Sequence, residues 1–148
     1  VTAPSSGVLP ALHARLELVL GHLRAQGFQV EEGRCLRDEV RSASAEADAR
    51  ATELMGFLRR DDIAAVFPPW GGELAIELLD RLDWGSLAAV RPKWLIGYSD
   101  TSTLLMALAC RLGWAGAHGP CLMDLAPGQP DQGCRSALAA ARAICPSA

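Results

Sequence analysis

The sequence has no long hydrophobic run, only one lysine and few aromatic residues. Its apolar runs stay well below the roughly 20 residues needed to span a bilayer. The first seven residues contain neither a basic region nor an apolar core, so no signal peptide is predicted. Lysine and arginine number 14 against 17 acidic residues, a net charge of −3, and no basic cluster suited to phosphates is present. The composition therefore argues against a membrane protein and against a nucleic-acid partner.

The cysteines lack the spacing of disulfide-rich domains and of zinc sites. The five cysteines are odd in number, none are in C-x-x-C spacing, and the three histidines are scattered. This pattern predicts neither a disulfide framework nor a zinc site. Cys110 lies in an apolar run and is expected to be a small core residue. A reducing cytoplasm fits this cysteine usage best.

What the sequence does contain is an alternation of helical and strand patterns. Half of the 148 residues are hydrophobic, enough for one domain with a core. Periodicity predicts helices over residues 9–26, 44–60, 73–82, 101–112 and 132–144, and strands at 28–30, 63–67, 93–96 and 114–118. Ser42 or Ser44 is expected to cap the second helix. The alternation predicts a three-layer α/β fold, flavodoxin-like or Rossmann-like, with a mostly parallel sheet and helices on both faces.

Ser99 stands where a buried strand is predicted to turn sharply into a helix. The apolar run ends at Gly97, and the helical pattern follows directly after Asp100. Such a bend exposes the serine side chain beside free backbone N–H groups, an arrangement that stabilises an oxyanion and is typical of a nucleophile elbow. The usual second glycine of the elbow is replaced by Thr101. The alternative is that Ser99 only caps the following helix, as serines commonly do.

A second loop has the same placement, after another buried strand and before another predicted helix. Here Pro68-Pro69-Trp70 is followed by the pair Gly71-Gly72. Paired glycines let the backbone approach a ligand and expose N–H donors. In a parallel sheet, the loops at the carboxyl ends of the strands lie side by side and form the ligand site. This loop could therefore supply an oxyanion donor beside Ser99, or it could be a simple turn.

Taken in order, these motifs resemble the serine L,D-carboxypeptidases, the muramoyl-tetrapeptide carboxypeptidases and their relatives that confer microcin C immunity. The resemblance runs over nearly the whole chain. Its motifs are Pro4-Ser5-Ser6, Pro68-Pro-Trp-Gly-Gly-Glu73, Glu77-Leu-Leu-Asp-Arg-Leu-Asp83, Pro92-Lys-Trp-Leu-Ile-Gly-Tyr-Ser-Asp100, Gly113 and His118-Gly-Pro120.

The resemblance implies a role for each site residue. Ser99 would be the nucleophile, with an oxyanion hole formed by the backbone N–H of Asp100 and one from Gly71 or Gly72. The residues expected to flank the cleft and contact substrate are Trp70, Glu73, Tyr98 and His118. The family has a second, C-terminal domain that carries the glutamate and histidine of the triad, and residues 1–148 match only the N-terminal domain. The chain is therefore expected to be part of a larger protein and inactive alone.

The function implied is hydrolysis of the amide bond to a terminal D-amino acid of a murein-type peptide, in peptidoglycan recycling. The substrate would be a small peptide, and the reaction would require no metal or organic cofactor. The intact cytoplasmic protein would be a homodimer. Three alternatives stay open at this point. One is a hydrolase of peptidyl-nucleotides of the microcin C type. Another is a non-catalytic α/β binding domain, and the third is a complete single-domain hydrolase that uses His118 as its base.

Overall fold

A three-stranded parallel sheet lies at the centre of the computed structural model, which describes residues 1–128 and 132–144. The strands are β1 (Ala65–Val66), β2 (Trp94–Gly97) and β3 (Ala117–His118), in that order across the sheet. Val66 pairs with Leu95, and Gly97 pairs with His118. Because all three strands run the same way, the segments that follow them lie at one edge of the sheet.

Five α-helices surround this sheet in the described part of the chain. They are α1 (His13–Ala25), α2 (Ala47–Arg59), α3 (Trp84–Ala88), α4 (Thr101–Leu112) and α5 (Gln132–Ile144). Four short 3₁₀ helices lie between them, at Pro10–Leu12, Arg34–Leu36, Ala75–Leu78 and Leu122–Leu125. Within residues 1–128 and 132–144, no helix has the length and apolarity needed to cross a membrane.

The core consists of two hydrophobic clusters, one on each face of the sheet. Leu95 of β2 packs in the cluster built from α2, α3 and α4. The next residue, Ile96, packs in the cluster built from α1, the Leu122–Leu125 turn and α5. Successive strand residues point to opposite faces of a sheet, so the helices cover both faces. The predicted three-layer α/β architecture with a parallel sheet is confirmed.

Two predicted elements differ from the structure. Residues 28–30 form no strand, because they join no ladder within the described residues. The helix predicted over residues 73–82 is reduced to the 3₁₀ turn Ala75–Leu78. The backbone groups at the start of this segment bond to distant residues and not to one another. The Leu74 and Ala75 N–H groups donate to side chains, and the Leu74 carbonyl accepts from Arg50.

Two residue-level predictions are also wrong. Glu46 is the N-cap of α2 and no side chain caps it, while Ser44 donates instead to the carbonyl of Ala3 at 2.6 Å. Cys110 is exposed rather than buried. The buried residues of α4 are Thr101, Leu104, Leu105 and Leu108, and Cys110 lies on the outward side of that helix.

Candidate active site

The site is organised around Ser99, which occupies a tight bend between β2 and α4. Ser99 is exposed and has a φ of 58°, a left-handed conformation that side-chain-bearing residues rarely adopt. The bend is possible because Gly97 carries no Cβ. A Cβ there would lie 3.0 Å from Cγ2 of Thr101 and 3.3 Å from the Cys121 sulfur. The close approach of helix to strand and the strained backbone at Ser99 are features of a nucleophile elbow.

The loop with the paired glycines lies directly against this bend. A Cβ placed on Gly71 would lie 2.8 Å from both Cβ and Oγ of Ser99, and 3.0 Å from the Asp100 nitrogen. No side chain fits in that space, so only glycine lets the backbone approach the serine this closely. The two loops therefore lie side by side at the carboxyl edge of the sheet, in the arrangement expected from the sequence.

The second glycine of the pair packs against a third loop, at the start of the chain. Gly72 has a φ of 141°, and a Cβ there would overlap the hydroxyl of Ser5 and lie 2.6 Å from that of Ser6. The Ser6 N–H also donates to the Gly71 carbonyl at 3.3 Å. Residues 4–6, 71–75 and 99–100 thus form a single cluster of three loops, called here the loop cluster.

The carboxylate of Asp100 joins the three loops. Its Oδ2 accepts a 2.6 Å hydrogen bond from the Ser5 hydroxyl and a 2.8 Å bond from the Ala75 N–H. The Ser5 hydroxyl in turn accepts from the Leu74 N–H at 3.1 Å. A buried or half-buried carboxylate held by several donors is fixed in place. The side chain of Asp100 therefore braces the loop cluster instead of capping α4.

Two backbone donors beside Ser99 are left without partners. Among the described residues, neither the Asp100 N–H nor the Gly71 N–H donates to a protein acceptor. The Ser99 hydroxyl also caps no N–H in this part of the chain, which removes the support for reading Ser99 as a capping residue. An exposed hydroxyl beside free N–H groups and the N-terminus of α4 can attack a carbonyl carbon whose oxygen those donors bind.

The four predicted substrate-contacting residues occupy different positions around the bend. His118 ends β3 and pairs in register with Gly97, so it lies at the same sheet edge as Ser99. Glu73 is exposed in the paired-glycine loop. The indole N–H of Trp70 donates to the Gly7 carbonyl at 2.9 Å, and its ring packs partly in the core. Their contacts with substrate stay a prediction.

Tyr98 is the fourth of these residues, and its phenol is 43% exposed. The negative charge of Asp124, together with partial burial, raises the pKa of Tyr98 above its usual value. The phenol also makes a side-chain hydrogen bond with Asp124, so its single hydroxyl proton is directed to that carboxylate.

A general base is the component that the geometry does not provide. A serine hydroxyl is a weak nucleophile unless a neighbouring group takes its proton. No histidine in the described residues is hydrogen-bonded to Ser99, and His13 bonds the Val8 carbonyl at 2.9 Å. Residues 1–128 and 132–144 also contain no cluster of three or more potential metal ligands.

Sequence reasoning missed Arg50, which lies beneath the loop cluster. Arg50 is 1% exposed and donates to the carbonyls of Pro4 and Leu74 at 2.8 and 3.1 Å. The available signal was its spacing: Arg50 precedes Leu54 and Leu58 by four and eight residues, which places it on the apolar face of α2. A charged residue on that face must be paired inside the protein.

Comparison with known proteins matches this chain to one family over most of its length. Residues 1–119 match the model of the LD-carboxypeptidase N-terminal domain. The murein tetrapeptide carboxypeptidase of Pseudomonas aeruginosa is 36% identical over 118 residues, which are 80% of this chain and 37% of that protein. The microcin C7 self-immunity protein MccF of Escherichia coli is 31% identical over 101 residues, 68% of this chain and 29% of that protein.

A solved structure has the same fold. MccF in complex with glutamyl sulfamoyl guanosine superimposes with a TM-score of 0.84 and 23% identity, covering 97% of this chain and 42% of that one. The chain thus spans little more than a third of the length of the curated carboxypeptidases it matches, at 36% and 37%.

Proposed function

Since the chain belongs to the LD-carboxypeptidase family and matches its N-terminal domain, we propose that Ser99 is the nucleophile of a serine peptidase. The substrate class proposed is a murein-type peptide, cleaved at the amide bond to its terminal D-amino acid. One observation carries the proposal. It is the strained, exposed Ser99 packed against Gly71, with the N–H groups of Gly71 and Asp100 free beside it.

The proposed reaction begins when Ser99 Oγ attacks the carbonyl carbon of the scissile amide. The oxyanion that forms is stabilised by the N–H groups of Asp100 and Gly71, with Gly72 as the alternative donor, and by the N-terminus of α4. A general base takes the Ser99 hydroxyl proton during the attack and passes it to the amide nitrogen, which leaves as an amine, while an acyl ester remains on Ser99. Water hydrolyses this ester and regenerates the serine.

We propose that the base comes from a further, C-terminal domain of the family, carrying a histidine and a glutamate. The greater length of the carboxypeptidase relatives supports this division. His118 is the alternative base within residues 1–148, since it lies at the same sheet edge as Ser99. No sequence pattern favours His118 as the base over His118 as a residue that contacts substrate. We therefore propose that residues 1–148 are inactive alone.

We propose that Trp70, Glu73, Tyr98 and His118, which lie around the bend at Ser99, contact the peptide. Tyr98 and Trp70 would present their rings, because the Tyr98 hydroxyl is bonded to Asp124 and the Trp70 N–H to the Gly7 carbonyl. A homodimeric assembly and a cytoplasmic location, both expected from the resemblance and the cysteine usage, stay predictions.

A second candidate substrate is a peptidyl-nucleotide of the microcin C type. The observation that favours it is the 31% identity to the microcin C7 self-immunity protein MccF over 68% of this chain. Both candidates require an attack by Ser99 on a carbonyl in the same cleft, so they differ in the leaving group and not in the nucleophile.

The experiment uses the protein encoded by the complete reading frame that contains residues 1–148. We expect it to release the terminal D-amino acid from a murein tetrapeptide and to be labelled by a fluorophosphonate probe, which reacts with activated serines. Ser99→Ala should abolish both, and Ser102→Ala, on the first turn of α4, should retain both as the matched control. A folded protein that shows neither activity nor labelling would instead favour a non-catalytic binding domain. Cleavage of a peptidyl-nucleotide alone would favour the second candidate.

A further inference from the structure

Arg50 is a buried cation whose hydrogen bonds converge on the loop cluster. It is 1% exposed and lies on α2. Its Nη1 donates to the carbonyls of Pro4 and Leu74 at 2.8 and 3.1 Å, its Nε donates to the Ala45 carbonyl at 2.8 Å, and its Nη2 pairs with Glu77. A guanidinium is costly to bury and stays buried only when its donors are satisfied in this way.

Two of these acceptors directly precede the residues that hold Asp100. Pro4 is followed by Ser5, whose hydroxyl donates to the Asp100 carboxylate at 2.6 Å. Leu74 is followed by Ala75, whose N–H donates to the same carboxylate oxygen at 2.8 Å. One nitrogen of Arg50 therefore fixes both of the segments that hold the Asp100 side chain.

The contacts of Arg50 extend through these segments to the two proposed oxyanion donors. The backbone N–H of Asp100 is one proposed oxyanion donor, and Gly71, four residues before Ala75, carries the other. A Cβ on Gly71 would lie 3.0 Å from the Asp100 nitrogen, so the separation of the two donors is fixed by how the loops pack. A shift of about 1 Å in such donors is enough to slow a reaction about 100-fold.

We propose that Arg50 is a positioning residue for the reaction at Ser99. From beneath the loop cluster it holds residues 4–6 and 71–75 at the spacing that aligns the Gly71 and Asp100 N–H groups with the oxyanion. The proposal deepens the proposed function and rests on it. Arg50 contacts no reacting atom itself, and it acts through Ser5, Ala75 and Asp100.

Geometry distinguishes this role from simple charge pairing. The Glu77 side chain is 42% exposed, so water competes for that partner, whereas the other three acceptors are backbone carbonyls. The three carbonyl bonds use the planar fork of the guanidinium, which a lysine ammonium cannot reproduce. Arg50→Lys therefore keeps the positive charge and removes the fork that joins Pro4 to Leu74.

The test compares Arg50→Lys with Arg59→Lys in the protein encoded by the complete reading frame. Arg59 lies on the same helix, about 14 Å further along its axis. Its side chain is 46% exposed and pairs with Asp83. We expect Arg50→Lys to lower kcat about 10- to 100-fold with KM within about threefold, at a temperature where the variant is fully folded. Arg59→Lys should change neither constant.

Amide hydrogen exchange provides a readout besides activity. In Arg50→Lys the amides of Leu74 and Ala75, which donate to Ser5 and Asp100, should exchange faster than in the wild type, while those of β2 keep their protection. A folded Arg50→Lys variant with wild-type kcat and unchanged exchange would overturn the proposal. So would a lower thermal stability with kcat unchanged, because that outcome assigns Arg50 a structural role only.

Ser5→Ala keeps the test decisive if Arg50→Lys does not fold. It removes only the hydroxyl that joins the segment held by Arg50 to Asp100, and it should lower kcat about tenfold with KM unchanged. An unchanged kcat in Ser5→Ala would refute the connection. If the wild-type protein hydrolyses no amide and Ser99 is not labelled, the proposed function fails. The exchange of the Leu74 and Ala75 amides alone then decides whether Arg50 anchors the loop cluster.

Discussion

Ser99 has a backbone conformation that suits glycine, and this is the residue where function and stability conflict. Its φ of 58° places the Cβ close to the following carbonyl oxygen, a strain of about 1 kcal/mol or more for a residue with a side chain. The strain is retained because only this conformation presents the hydroxyl beside Gly71. Replacement of Ser99 should therefore affect stability in a way that depends on the side chain introduced.

We predict that Ser99→Gly is about 0.5–1 kcal/mol more stable to unfolding than Ser99→Ala. Alanine retains the strain, whereas glycine relieves it and loses part of that gain to the greater freedom of its unfolded chain. Urea denaturation of the two variants measures the difference. Equal stability of both variants, or a less stable glycine variant, would show that the bend at Ser99 is not strained.

At the scale of elements, β2 is the strand that contributes side chains to the hydrophobic clusters on both faces of the sheet. It lies between β1 and β3, and its residues Leu95 and Ile96 enter opposite hydrophobic clusters. The strand also leads directly into Ser99, so its packing sets where the bend lies. Loss of a side chain on one face should therefore weaken the whole domain.

Leu95→Ala should lower the free energy of unfolding by about 2–5 kcal/mol, because Leu95 has no exposed surface and its truncation leaves a cavity. The matched control is Leu18→Ala on α1, where the leucine is 61% exposed and the change should stay within about 0.5 kcal/mol. Chemical denaturation of both variants measures this. A cost at Leu95 no larger than at Leu18 would contradict the assignment of β2 to the core.

The elements that could be predicted from the sequence are those with local signals. α4 and α5 begin and end at the predicted residues, since helical periodicity and Gly113, with a φ of 69°, define them. Residues 73–82 were predicted helical from the same kind of pattern, but the Leu74 and Ala75 N–H groups bond to Ser5 and Asp100 instead. Those partners are 69 and 25 residues away, and no local pattern encodes them.

At the scale of the whole molecule, the candidate site is a product of long-range contacts. The strand–bend–helix around Ser99 and the paired glycines could be placed from sequence, because parallel strands bring their following loops to one edge. The bonds of Asp100 to Ser5 and of Arg50 to Pro4 span 95 and 46 residues. No local sequence pattern predicts such contacts, so the support that Arg50 and Asp100 give to the loop cluster is seen only in the structure.

The proposed division of the catalytic groups between two domains makes a prediction about residues 1–148 on their own. Since no described histidine is bonded to Ser99, we expect this domain alone to hydrolyse an activated ester no faster than its Ser99→Ala variant. A p-nitrophenyl ester assay on the folded domain measures this. Hydrolysis that depends on Ser99 and disappears in His118→Ala would identify His118 as the base and contradict the two-domain account.

The central claim is that Ser99 Oγ and the N–H groups of Asp100 and Gly71 converge on one carbonyl. A crystal structure of the intact protein after reaction with a fluorophosphonate tests this most directly, because the phosphonyl oxygen occupies the oxyanion position. We predict phosphorus bonded to Ser99 Oγ, and its oxygen within hydrogen-bonding distance of the Asp100 nitrogen and the Gly71 or Gly72 nitrogen. An adduct on another residue, or an oxygen directed away from both amides, would contradict the account.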